Sequence, residues 1–451
     1  MLLALVGIIL TILLVVGIHE FGHFLAARLL GIKVLRFSIG FGKALVRWHD
    51  KKGTEYVIAA IPLGGYVKIL NEEEDKVAEE ELHLAFNRQP FYKKFLVVIA
   101  GPLFNLILAF FLYWSLFVIG FTSIVPVVGK VMPHSIAEEA GIKPQQEILK
   151  IDDKPTTSWM AVVIRILART GETGQLRIET RKFDTQQNPR THLLDLTHWR
   201  MDELKPDPLG SLGVVPYEPK LPAIIGTIHP DTPAAKTNLK IGDKIIAVNN
   251  KPIAHWHALI EIIDAHPTQK LSFTIRRDNT LHTISVTTDY QRDMLFRKHG
   301  FLGISPQFHW PENFLYKNKY GPIAALSHAW QSTSDFIGLN FMVIGKLLQG
   351  KISLHSLGGP ISIFQGAGAA FHQGIIPFLN FLAFLSIAIG IINILPIPGL
   401  DGGHILFQVI EAITRRPLSP RVLALCYRLG IILLFLLVFQ AIINDILRLY
   451  R

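Results

Sequence analysis

Two histidines and a glutamate lie inside an apolar segment at the start of the chain. His19, Glu20 and His23 form the pattern H-E-x-x-H, and residues 1–18 before them carry no charge. On a helix, residues four apart share a face, so the two imidazoles can hold one zinc ion with Glu20 beside it as a general base. Ionisable side chains in a membrane helix are costly and usually mark function. The pattern therefore predicts a metalloprotease whose chemistry takes place in the membrane.

Two histidines do not complete a catalytic zinc site, which needs a third protein ligand and an open position for water. The segment from Asn393 to Gly403 contains Pro396, Pro398 and three glycines, so it unwinds the end of an apolar helix. Such broken backbone is tolerated at membrane depth only where it faces protein or a water-filled cavity. A single carboxylate in that place, Asp401, is best explained as paired or bound to a metal.

The composition indicates a membrane protein with substantial soluble parts, since 50% of its 451 residues are hydrophobic and only 18% are charged. The formal net charge is +10, but the basic residues are spread over loops and membrane flanks without an aromatic–basic patch. We therefore expect no nucleic-acid partner. The single cysteine, Cys426, excludes an intramolecular disulfide and a cysteine-based zinc site.

Four hydrophobic segments predict four membrane-spanning helices, at about residues 2–29, 95–119, 376–396 and 425–446. Basic residues follow the first segment, precede the second and lie between the third and the fourth. Because basic flanks stay in the cytoplasm, both chain termini are expected outside it and the active site near the cytoplasmic face. The same topology places Asp401 on the side of the two histidines.

The loop after the first span predicts a small β-sheet. Residues 54–61 and 66–70 have strand-like patterns, and the Pro-Leu-Gly-Gly sequence between them predicts a turn. The edge of this hairpin, around Gly64, Gly65 and Tyr66, is expected to pair with an unwound substrate by strand addition.

Two further segments are predicted before the third span. Residues 322–348 carry apolar side chains at helical spacing and predict an amphipathic helix on the outer membrane surface. The glycine-rich residues 357–363 predict an irregular segment, either a re-entrant loop near the active site or a connector.

The soluble region between the second and third spans contains an internal repeat. Residues 131–159 align without gaps on residues 228–256, and each copy ends on a G-x-L-G turn. Each copy predicts a strand, a short helix and a strand–turn–strand unit, and it resembles the PDZ domain in its permuted bacterial form. The first copy has Gln145-Gln146 where the second has Gly242-Asp243. PDZ domains bind extended peptides by strand addition, so the two copies either bind peptide C-termini or fence the active site.

The chain as a whole resembles the site-2 protease family of intramembrane zinc metalloproteases, and within it the sigma-E regulators of Gram-negative inner membranes. H-E-x-x-H, N-x-x-P-x-P-x-L-D-G and the PDZ pair carry the resemblance, and residues 101–105 match a further family element. The resemblance implies His19, His23 and Asp401 as zinc ligands and Glu20 as the catalytic base. It also implies that Asn393 supports substrate or oxyanion and that Pro396 and Pro398 shape the substrate-facing backbone. Gly399 departs from the family, which usually has a larger apolar residue there.

The resemblance further implies the substrates and the location. The expected substrates are single-pass membrane proteins, namely an anti-sigma factor after first-site cleavage and remnant signal peptides. Cleavage would activate an envelope-stress response. The expected location is the bacterial inner membrane, with both termini and both PDZ domains in the periplasm. The alternative function is a membrane-anchored PDZ scaffold, binding peptides, with a degenerate metal site.

The expected fold is a multi-pass α-helical membrane protein with four transmembrane helices, two inserted extracytoplasmic PDZ domains of α+β type and a small membrane-associated β-sheet. The expected units are a first span (1–30), a cytoplasmic-side loop with a β-hairpin (31–94), a second span (95–121), PDZ domains (122–220 and 221–310), a juxtamembrane helix with a glycine-rich loop (311–375), a third span (376–396), the L-D-G motif with a cytoplasmic loop (397–424), and a fourth span with the C-terminus (425–451).

Overall fold

A computed structural model describes residues 2–73, 77–202, 207–219, 221–292, 297–308, 310–356 and 358–450. The elements before the repeat are α1 (Leu2–Leu29), β1 (Val34–His49), β2 (Glu55–Ile69), α2 (Phe91–Ile119) and β3 (Phe121–Ile124). The first copy of the repeat contains β4 (Val128–Val131), α3 (Ile136–Glu139), β5 (Gln146–Ile151), β6 (Lys154–Pro155), α4 (Trp159–Leu167), β7 (Gln175–Lys182), β8 (Arg190–Asp195), α5 (Pro208–Leu212) and β9 (Val214–Pro216).

The second copy contains β10 (Ile225–Ile228), β11 (Lys244–Val248), β12 (Lys251–Pro252), α6 (Trp256–Asp264), β13 (Lys270–Arg277), β14 (Thr280–Thr287), β15 (Asp289–Arg292), β16 (Lys298–Phe301) and β17 (Ile304–Pro306). The remaining elements are β18 (Leu315–Asn318), α7 (Pro322–Leu348), α8 (Pro360–Gln373), α9 (Ile375–Ile394), α10 (Asp401–Thr414) and α11 (Pro420–Tyr450).

Four of the described helices, α1, α2, α9 and α11, are long and apolar enough to cross a membrane. They coincide with the four predicted spans, although α2 and α11 begin a few residues earlier than predicted. Helix α2 is central, because its buried Ala109 and Leu116 pack with residues of α7 and α9 in one apolar cluster. Small side chains such as Ala109 let these helices approach closely.

The sheet after α1 differs from the predicted hairpin. Residues 55–61 and 65–69 belong to one bent strand, β2, and do not pair with each other; both segments pair with β1. Phe37 lies opposite Tyr56 on one side and Val67 on the other, so β1 runs between the two parts of β2. The predicted pairing of the two segments with each other is therefore wrong, but the chain does reverse between them. Along residues 36–39 of β1, the partners rise from Glu55 to Ile58 on one side and fall from Lys68 to Gly65 on the other. Strand β1 reverses as well, at Gly40 and Gly42, whose φ angles of 91° and 85° are unfavourable for other residues.

Both copies of the repeat, called here the first and second modules, fold with the same topology. Their four-stranded sheets have the orders β6-β5-β7-β8 and β12-β11-β13-β14, and β4 pairs with β9 as β10 pairs with β17. The helix predicted after Ser135 is α3, capped by the Ser135 hydroxyl, whereas a single 3-10 turn follows Thr232. Strand β3 lies within the predicted first unit but pairs with β18, outside both modules.

Helices α7 and α8 follow the modules. The predicted helix over residues 322–348 is confirmed as α7, and it is joined to the first module by an ion pair between Asp335 and Arg165 of 3.0 Å. The irregular segment predicted over 357–363 is wrong from Pro360 onward, where α8 begins; Leu357 lies outside the described residues. Pro360 is suited to the first helical position, and the Asp445 carboxylate of α11 accepts hydrogen bonds from Gly359 N and Ser362 N.

Candidate metal centre

The three side chains predicted as ligands meet, although Asp401 is far from the histidines in sequence. Nε2 of His19 and Nε2 of His23 are 3.2 Å apart. Asp401, the first residue of α10, places Oδ2 3.1 Å from Nε2 of His19 and 3.4 Å from Nε2 of His23.

The spacing of these three atoms fits a tetrahedral cation. Zinc bonds to nitrogen and oxygen of ~2.0–2.2 Å place neighbouring ligand atoms of a tetrahedron roughly 3.3 Å apart, close to the distances of 3.1 to 3.4 Å found between the three. Oδ2 of Asp401 is also buried without a hydrogen-bond partner among the described residues. A buried carboxylate oxygen between two imidazole nitrogens needs a positive charge, which a metal ion held by the three side chains would supply.

The second nitrogen of each imidazole is held by α2. Nδ1 of His23 lies 2.8 Å from the carbonyl oxygen of Val97, so it carries the proton and leaves Nε2 free as a ligand. Nδ1 of His19 lies 3.3 Å from Nδ2 of Asn105, while Oδ1 of Asn105 is buried without a partner. Amide oxygen and nitrogen are interchangeable assignments. Turning the Asn105 amide over lets Oδ1 accept the proton of His19 Nδ1, which leaves Nε2 of His19 free as a ligand.

Gly101 allows the histidines to lie against α2. A Cβ atom at this position would lie 2.5 Å from Cε1 of His23 and 2.9 Å from Cε1 of His19, distances that real Cβ atoms essentially never show. Gly101 and Asn105 lie in the stretch 101–105 that matches a family element, but the sequence pattern assigns neither residue a role in the metal site. The available signals were one polar side chain within an apolar helix and a glycine one turn before it.

Glu20 lies beside the bent strand β2. It takes a backbone hydrogen bond from Val67, and a Cβ atom on Gly65 would lie 3.1 Å from Cγ of Glu20 and 2.8 Å from the carbonyl oxygen of Ser38. The segment 65–69 pairs with β1 on one side only, within the described residues. An open strand edge therefore runs next to the Glu20 side chain.

The other predicted substrate-binding residues lie in two places. Gly64 and Tyr66 flank Gly65, and the Tyr66 hydroxyl accepts a hydrogen bond of 3.0 Å from Arg36. Asn393 lies in the last turn of α9, and Pro396 and Pro398 lie in the connection from α9 to α10. Their contribution to substrate binding stays a prediction.

The α9–α10 connection also explains the glycine that departs from the family pattern. Gly399 has a φ angle of 101°, which disfavours side chains with a Cβ atom. Glycine at this position therefore fits the backbone of the connection.

Comparison with known proteins gives consistent results along the whole chain. Residues 7–437 match the model of peptidase family M50. A regulator of sigma-E protease from Salmonella typhimurium is 40% identical over 435 residues and covers 96% of both chains. The regulator of sigma-E protease of Escherichia coli has the same identity and coverage. A putative zinc metalloprotease of Vibrio cholerae is 35% identical over 445 residues and covers 98% of both chains.

Among solved structures, the PDZ domain of an SdrC-like protein from Listeria innocua covers 20% of this chain and 96% of its own, with 18% identity and a TM-score of 0.17. At that score the likeness carries no argument about the fold.

Proposed function

This chain belongs to peptidase family M50 and is a zinc metalloprotease, and from that premise we propose that His19, His23 and Asp401 hold the zinc ion and that Glu20 is the general base. The convergence of three ligand atoms from α1 and α10 within 3.4 Å of one another carries the proposal. Two nitrogens and one carboxylate oxygen form a donor set typical of catalytic zinc.

The residues around the ligands have separate tasks in peptide hydrolysis. When bound, zinc supplies a Lewis acid that polarises the scissile carbonyl and makes water nucleophilic near neutral pH. Glu20 takes the proton of the attacking water and passes it to the leaving amine. The Val97 carbonyl and Asn105 orient the two imidazoles through their Nδ1 atoms, as outer partners of metal-binding histidines usually do.

The substrate segment is proposed to bind along the open edge of residues 65–69. A helical substrate hides its carbonyl groups in hydrogen bonds, so it must unwind before cleavage, and an extended peptide can then add to a strand edge. Gly65 leaves room next to Glu20 because it has no side chain. Asn393 is proposed to support the substrate or the oxyanion, and Pro396 and Pro398 are proposed to shape the substrate-facing backbone.

We further propose that the substrates are single-pass membrane proteins, with an anti-sigma factor trimmed by a first protease and remnant signal peptides as candidates. The names of the relatives as sigma-E regulators support this choice. We propose that the site lies near the cytoplasmic face of a bacterial inner membrane and that both termini and both modules lie in the periplasm. The modules are proposed as PDZ domains that bind peptide ends or limit access by size, and strands β9 and β17 offer edges for peptide addition.

The variant Glu20→Gln tests the proposed roles. The purified full chain in detergent is assayed for zinc per chain and for cleavage of a single-pass model substrate. Wild type is expected to contain about one zinc and to cleave, whereas Glu20→Gln should keep its zinc and lose at least ~100-fold in rate, because a positioned base contributes ~10²–10⁴-fold. His23→Ala, as a comparison, should lose both. Undiminished cleavage by Glu20→Gln would contradict the base assignment, and full zinc in His23→Ala would contradict the ligand assignment.

A further inference from the structure

A buried ion pair in the second module joins the start of β11 to the end of β13. The Asp243 side chain is 1% exposed and lies 2.7 Å from the Arg277 guanidinium through each of its two oxygens. Asp243 also accepts a hydrogen bond of 2.8 Å from Lys240 N. Both charges are compensated within the module.

The first module has the same arrangement at the start of β5 and the end of β7, but without the negative charge. In the matching register, Gln146 on β5 lies opposite Lys182 on β7, and Gln146 accepts a hydrogen bond of 2.9 Å from Lys143 N, as Asp243 does from Lys240. The backbone arrangement is therefore the same, with a neutral amide in place of the carboxylate. Lys182 takes the place of Arg277 without a carboxylate partner in the described residues.

The connection between β7 and β8 lies next to this position and is longer than the matching turn between β13 and β14. The β13–β14 turn consists of Asp278 and Asn279, both with positive φ, whereas residues 183–189 connect β7 and β8. The longer connection contributes to a pocket of about 190 Å³. At ~30 Å³ for each water of the liquid, this space is sufficient for a tetrahedral oxyanion and part of an attached group.

The pocket wall is cationic. Lys143, Arg181, Lys182 and Arg190 line it together with neutral residues, and none of its described lining residues is acidic. Arg181 pairs with Glu147 at 3.1 Å, but its Nε is buried without a hydrogen-bond partner among the described residues. No described carboxylate forms an ion pair with the other three cations. Clustered, uncompensated cations beside amide donors attract a bound anion.

We propose that this pocket of the first module binds an oxyanion of the phosphate class, either free or as the phosphate group of a larger molecule. The ligand supplies next to Lys182 the negative charge that the Asp243 carboxylate supplies next to Arg277 in the second module. Neither α4 nor β9 contributes a lining residue, so the site is separate from the strand edge proposed for peptides. It is also independent of the metal centre, and its test does not depend on protease activity.

Binding of inorganic phosphate to the full chain in detergent, measured by calorimetry at constant ionic strength, tests the proposal. Wild type should bind saturably. Lys182→Gln and Arg190→Gln should each weaken binding at least about tenfold, because a hydrogen bond to a charged group contributes ~1.5–3 kcal/mol and ~1.4 kcal/mol corresponds to a factor of ten. Gln146→Asp should abolish binding, because it places a carboxylate opposite Lys182 as in the second module. The control Lys154→Gln removes an exposed charge of the same module outside the pocket and should bind as wild type.

The outcomes separate the sources of the phosphate. Tighter binding of glycerol 3-phosphate than of inorganic phosphate would assign the site to a phosphate ester, and equal binding to the free ion; both support the pocket. Vesicles containing phosphatidic acid, compared with phosphatidylcholine vesicles, then distinguish a lipid ester from a soluble one. Absence of saturable binding in wild type would overturn the proposal, as would an equal loss in Lys154→Gln. Unchanged binding in a Gln146→Asp protein with the wild-type unfolding temperature would also overturn it.

Discussion

Replacing Gly101 by alanine should weaken zinc binding, although Gly101 offers no ligand atom. The new Cβ would lie 2.5 Å from Cε1 of His23 and closer still to its Nε2, and ordinary van der Waals contact begins at 3.4 Å, so the ring or α2 must move by at least about 0.9 Å (3.4 − 2.5). His19 is crowded as well, at 2.9 Å. A shift on the order of 1 Å can cost ~100-fold in rate. Disturbing the support of a ligand costs ~10–100-fold in metal affinity.

The assay measures zinc affinity by titration against a buffered zinc series and cleavage of a single-pass model substrate. Gly101→Ala should raise the dissociation constant for zinc at least ~10-fold and lower kcat/KM about 100-fold. Gly17→Ala is the matched control, because Gly17 lies in α1 two residues before His19 and its Cβ would meet no atom within 4 Å. That variant should keep both properties. Wild-type zinc affinity and turnover in a folded Gly101→Ala protein would refute the close packing of the two imidazoles on α2.

Three further predictions concern residues around the site and the modules. Asn105→Leu should lower zinc affinity ~10–100-fold, whereas Asn105→Asp should restore it because a carboxylate accepts the proton of His19 Nδ1; equal affinities in the two variants would contradict this role. Replacing Lys346 by Met should cost about 3 kcal/mol of unfolding free energy, measured by denaturant titration, because its side chain is 7% exposed and its ammonium group bonds two carbonyls and a carboxylate of the first module. Burial raises the pKa of Asp50, but Arg28 and backbone amides outweigh it and lower the pKa to about 2 from a usual 3.8. The ionised Asp50 carboxylate therefore contributes its full stabilisation above pH 3.8, and this contribution is lost as pH falls through the folded-state pKa of about 2. The difference in Tm between wild type and Asp50→Asn should accordingly vanish near pH 2.

The convergence of the three proposed ligands was predictable from local rules together with the family resemblance. His19 and His23 are four residues apart on a helix, and Asp401 is a single carboxylate in broken apolar backbone. Gly101 and Asn105 were not assigned, because their roles depend on how α2 lies against α1. That packing brings residues together that are about 80 positions apart, for example Asn105 and His19 at a separation of 86. No periodicity within one helix contains this information.

The pairing of strands and the start of α8 show the same limit. The Pro-Leu-Gly-Gly sequence predicts a hairpin between the two segments that it joins, but residues 34–39 of β1 lie between those segments, and β1 itself reverses at Gly40 and Gly42. The glycine-rich segment before α8 ends at Pro360 because Asp445 of α11 accepts the amide hydrogens at the helix start. In both cases a distant partner decides between two local structures that the sequence permits equally.

The placement of Asp401 links metal binding to the folding of one connection. Helix α9 ends at Ile394, and α10 begins at Asp401 only a few residues later. A Cβ on Gly402 would collide with the carbonyl oxygens of Ile394 and Leu395, so the start of α10 lies directly against the end of α9. Asp401 reaches the histidines only while this fold-back is closed. An ion that binds all three side chains therefore stabilises the closed connection by its binding free energy, and the site and the fold-back form together.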